Sequence, residues 1–126
     1  MSKRATWCDR RLVMSPVYFG ICTSAAQFAA ECRKLGLKQR PEWIPAAAAA
    51  VCHILANAKG ETACIVAVPP RKRGQSRAEY AALIVHEAVH VWQQVREALG
   101  EEKPSSEFEA YSLQAICQEL FEAVNL

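Results

Sequence analysis

Residues 83–94, LIVHEAVHVWQQ, hold two histidines and a glutamate within five positions, in a chain of 126 residues that has three histidines in all. On an α-helix, positions four apart are offset by about 40° in angle and ~6 Å in rise, so His86 and His90 project side by side. Two imidazoles placed this way can chelate one tetrahedral zinc ion through ring nitrogens. Glu87 stands on the flank of the same face, where its carboxylate can take a proton from water. The chemistry this spacing serves is hydrolysis of a peptide or amide bond by metal-activated water, with Glu87 as general base.

Two histidines need a third protein ligand to hold a catalytic zinc. His53 lies in an alanine-rich segment and reads as a structural histidine. The other candidates follow the motif, in EFEAYSLQAICQEL, where Glu107 and Glu109 come 17 and 19 residues after His90. A helix, a tight turn over residues 100–106 and an antiparallel return helix would bring one of these carboxylates opposite the histidines. The apolar positions Leu113, Ile116, Cys117, Leu120, Phe121 and Val124 centre on a face nearer Glu109, so periodicity favours Glu109.

HEAVH followed by EFEAY resembles the gluzincin class of zinc metallopeptidases, in which HExxH is followed by a glutamate-bearing helix, often written E-x-E-A-D. The resemblance spans about residues 76 to 121, and HVWQQ also resembles small phage-encoded proteins with an HEAxHxWQ…EFEAY pattern. It implies a minimal single-domain zincin over residues 1–126, with zinc held by His86, His90 and Glu107, and Glu109 as the alternative ligand. Tyr111 stands where the family carries an acidic residue. It is therefore a candidate for orienting a histidine or polarising the substrate carbonyl, with Gln94 or Glu97 as other candidate partners of a histidine. The competing reading is a metal-stabilised interaction or assembly module of phage origin, without turnover.

The elements that would position these residues are marked by caps and periodicity. Ser76 and Glu79 form a capping box, and the helical pattern runs from there to Gly100. Along it Ile84, Val85, Ala88, Val91, Trp92, Val95 and Leu99 make an apolar arc; Glu79, His86, Glu87, His90, Gln94 and Glu97 make the opposite arc. A last helix runs from about Ser106 to Val124 after the GEEKPSS turn. Upstream, VYFGIC (17–22) reads as a strand, and Ser24 and Gln27 open a helix over 25–35 that Gly36 ends. Pro45 and the alanine run predict another helix over 45–59, stopped by Gly60. TACIVAV, residues 62–68, reads as a strand and as the edge along which an extended peptide would add. The expected fold is α+β, about four helices with a small sheet of two or more short strands.

Composition narrows the function classes. Net charge is +2, and the single dense basic run, RKRGQSR (71–77), lacks interleaved aromatics. It reads as a solvated loop, which argues against a nucleic-acid partner. Six scattered cysteines without a CxxC pair read as buried thiols of a reducing compartment. The apolar run LVMSPVYFGIC is broken by Ser15, Pro16 and Gly20 and preceded by Asp9, unlike an export signal, and no run approaches the ~18 residues that span a membrane. The expected setting is the cytoplasm of a bacterial host or a prophage product within it. The expected partner is a peptide or protein substrate rather than a membrane, and no residue pattern speaks to oligomeric state.

Overall fold

The computed structural model describes residues 3–8 and 15–126; Asp9 and the start of the apolar run at Leu12 lie outside the described residues. Strands β1 (Thr6–Trp7), β2 (Tyr18–Cys22), β3 (Val51–Ala56) and β4 (Thr62–Ala67) form a sheet in the order β1-β2-β4-β3. Helices α1 (Ala25–Leu35), α2 (Arg77–Leu99) and α3 (Ser106–Ala123) complete the described elements. β2 and β4 are parallel, whereas β1 on β2 and β3 on β4 are antiparallel.

The sheet is covered on both sides. Phe19, Ile21, Cys64 and Val66 turn to one face and meet Ile84, Ala88, Val91 and Val95 of α2 and Ile116 and Leu120 of α3. Cys22 and Ile65 turn to the other face and meet Phe28 and Cys32 of α1. β4 is consequently a continuous apolar strand buried on both faces, as a central strand should be.

Two expectations are corrected here. The helix over 45–59 does not form, leaving three helices and a four-stranded mixed sheet among the described residues instead of four helices and a smaller sheet. Ala46–Ala49 are exposed, with no apolar stripe to bury, so helix propensity has nothing to pack. Val51–Ala56 instead pairs along its whole length with β4, Val51 opposite Ala67 through Ala56 opposite Thr62. The turn that permits this is Asn57–Glu61. Asn57 Oδ1 accepts from the amides of Lys59 and Glu61 (2.9 and 3.0 Å), and Gly60 takes φ 80°. Gly60 is a hairpin glycine, not a helix stop.

The second correction follows from the first. TACIVAV lies between β2 and β3, so it is an interior strand; the open edge on that side is β3. The Asn57 amide donates to the Glu61 carbonyl at 3.0 Å, which marks that pair as hydrogen-bonded. By antiparallel alternation, Val51, His53 and Leu55 turn their main-chain groups to β4, and Cys52, Ile54 and Ala56 turn theirs outward.

The far edge is held by a buried acid. Glu31, 2% exposed on α1, takes hydrogen bonds from the Arg4 guanidinium and from Trp7 Nε1 (2.9 Å). Burial alone would raise its carboxyl; the bonds from Arg4 and Trp7 outweigh that and hold it below the usual range. β1 can approach because residue 20 is glycine: a Cβ there would lie 2.7 Å from the Thr6 carbonyl oxygen and 2.9 Å from Trp7 Cε3. Gly20→Ala is expected to push β1 off β2 and leave Glu31 short of partners, at a cost of about 2–4 kcal/mol in urea unfolding. Unchanged stability would show that β1 contributes nothing to the fold.

Candidate active site

The HEAVH segment sits in the middle of α2, a helix fixed at both ends. Ser76 Oγ accepts from the Glu79 amide while Glu79 reaches back to the Ser76 amide, and Gly100 closes the helix with φ 73°. Ile84, Ala88, Val91 and Val95 anchor it to the sheet. With both ends capped and one face buried, the rotation of the histidines about the helix axis is set.

His86 and His90 come together as their spacing requires, with ring centroids 5.2 Å apart and planes at 71°. His86 is exposed and His90 half-buried. His90 Nδ1 lies 2.9 Å from Gln93 Oε1. With Nδ1 engaged by the Gln93 side-chain amide, Nε2 is the ring nitrogen left to meet a metal. The hydrogen-bond partner of His90 is Gln93, three residues on. Tyr111 is 65% exposed. The i,i+3 spacing of His90 and Gln93 carries this contact in the sequence.

Glu87 departs from its expected place on the polar arc. It is 5% exposed, at the border between the buried face of α2 and the histidine face. Burial pushes its carboxyl above the usual range; the neighbouring His86 and His90, and His53 beyond them, pull it back only in part. Val85 and Leu99, read as apolar-arc residues, are instead 38% and 40% exposed.

The carboxylates of α3 do not join the histidines. Glu109 Oε2 accepts from Trp92 Nε1 at 2.9 Å, and the Trp92 ring stands edge-on to Phe108 with centroids 5.6 Å apart. Trp92 is two positions beyond His90, about 200° around the helix, so α3 docks against a different side of α2 from the histidines. Glu107 is exposed in the first turn of α3. Among the described residues no three His, Cys, Asp or Glu side chains stand as a metal-binding group. The described residues thus offer two side-by-side imidazoles and an adjacent acid, with no third ligand beside them.

His53 lies on β3 rather than on a helix, and its contacts are structural. It is buried, stacks on Phe28 with centroids 4.3 Å apart, and its Nε2 is 2.7 Å from the Trp43 carbonyl oxygen. The six cysteines are all free thiols. Among the described residues no helix is long and apolar enough to cross a membrane. Comparison with known proteins finds no match: no family model, no characterised protein and no solved structure.

Proposed function

We propose that the protein is a cytoplasmic, zinc-dependent hydrolase of peptide or amide bonds, a minimal relative of the gluzincins. His86 and His90 would hold the metal, and Glu107 of α3, or Glu109 in its place, would complete the set once α3 shifts toward the histidine side of α2. A zinc ion there supplies Lewis acidity, lowering the pKa of water and polarising the carbonyl. Glu87 takes the proton from the attacking water and returns it to the leaving amine. The observation that carries this reading is the pairing of side-by-side imidazoles, ring centroids 5.2 Å apart, with a carboxylate beside them that is only 5% exposed. A purely structural metal site has no use for such a carboxylate.

β3 is the surface along which an extended substrate would align. Among the described residues no strand pairs with its outward main-chain groups at Cys52, Ile54 and Ala56, and Ile54, 49% exposed, lies on the sheet face that α2 covers. The engagement of Glu109 with Trp92 favours a second reading, a metal-binding interaction module of phage origin without turnover. Purified protein should take up one zinc per chain and cleave an unstructured protein such as casein, with loss of cleavage on chelation and recovery on adding zinc. Zinc uptake without cleavage of casein or a peptide library selects the second reading. No zinc uptake overturns both.

A further inference from the structure

A pocket lies away from the histidines, where the chain topology opens the sheet. β2 and β4 are parallel neighbours, but β2 leads through Thr23 and Ser24 into α1 on one face, and β4 leads through residues 68–76 into α2 on the other. Connections that diverge to opposite faces leave a crevice beyond the carboxyl ends of the two strands, the place where open α/β sheets take ligands. Here the crevice is a cavity of about 350 Å³ lined by Thr23, Pro70, Arg71, Arg77, Tyr80 and residues 123–126.

The lining chemistry suits an anion. Arg71 and Arg77 bring two guanidinium groups, and no lining residue has an acidic side chain. The loop that carries Arg71 is ordered by its own bonds. Arg71 Nη1 donates to the Gln75 carbonyl at 3.0 Å, the Lys72 amide donates to Gln75 Oε1 at 3.0 Å, and the Gln75 amide donates to the Lys72 carbonyl at 3.0 Å. Tyr80 secures the strand exit by donating to the Pro69 carbonyl at 2.8 Å. Arg77 has no ion pair or side-chain hydrogen bond among the described residues. The capping box of α2 already satisfies the Glu79 amide, so the anion's charge falls to the guanidiniums, whose planar forks match phosphate oxygens.

We propose that this crevice binds a phosphate group, free or as the monoester of a small molecule, through Arg71 and Arg77. The proposal uses none of the histidine-site residues and stands or falls apart from the hydrolase reading. The test is calorimetric titration of the full chain with inorganic phosphate and with phenyl phosphate at constant ionic strength. It compares wild type with Arg71→Gln, Arg77→Gln and, as a control of equal charge in the same loop, Arg73→Gln. Saturable binding by wild type and Arg73→Gln, weakened at least about 10-fold in Arg71→Gln and Arg77→Gln, is the expected result. Tighter binding of phenyl phosphate identifies a monoester pocket, and equal or tighter binding of inorganic phosphate identifies a site for the bare anion; both support the assignment. Absence of saturable binding, or equal weakening in Arg73→Gln, overturns it. All the substituted arginines are exposed, and far-UV circular dichroism separates loss of binding from loss of fold.

Discussion

Glu87→Gln is expected to leave zinc uptake unchanged and to lower hydrolysis by about 10²–10⁴-fold, the range lost with a positioned general base. The substitution keeps the shape of a side chain that is 5% exposed and removes only its charge and basicity. It should also stabilise the metal-free protein at neutral pH. Burial raises the Glu87 carboxyl in the fold above its ordinary value of 4.5. Between that value and the raised one, the folded state holds more proton than the unfolded state, so stability falls as pH rises through this window. Above it the whole penalty is present, and glutamine does not carry it. Thermal melts of metal-free protein should therefore show Glu87→Gln above wild type at neutral pH, with the gap closing below 4.5. A variant that binds zinc, melts lower than wild type at neutral pH and still hydrolyses substrate would show that Glu87 is a packing residue.

A side chain that destabilises the fold it occupies is expected where function requires it. Sequence periodicity could place Glu87 beside the histidines but could not show its burial. At 100° per residue it falls on the border of the two arcs, and only the packing of α2 on β3 and β4 decides which side it joins. The starts of α1 and α2 were legible because their caps are local: Ser24 and Ser76 each accept from an amide three residues on. β3 was not legible, because its strand state depends on a partner. Val51–Ala56 has a register only against β4, and the alanines before it favour a helix that has nothing to pack against. The same limit hid the open edge, since a strand's place in the sheet order is a long-range property. TACIVAV reads as a strand from its own residues, but whether it lies inside or at the edge is decided by β3.

Exchange of the two α3 glutamates should separate the roles that their spacing leaves entangled. Glu107→Gln is expected to weaken zinc binding by more than about 100-fold, beyond what loss of an outer partner of a ligand causes, with the fold unchanged because Glu107 is exposed. Glu109→Gln is expected to retain zinc. Periodicity is right that Glu109 faces α2, but what it meets there is the Trp92 indole at 2.9 Å rather than the histidines. Glutamine keeps an acceptor for that N–H and loses only the charge, so the cost should stay near 1 kcal/mol in urea unfolding. Trp92→Phe removes the donor and leaves Glu109 half-buried without it, and should cost about 2–4 kcal/mol from the lost bond and the smaller ring. Zinc lost with Glu109→Gln and kept with Glu107→Gln would reverse the ligand assignment and require α3 to give up its hold on Trp92 when metal binds. Zinc kept in both variants would mean that α3 supplies no ligand. The histidine pair would then need its third donor from elsewhere, in this chain or in a partner, and a donor from a partner is the behaviour of an interaction module.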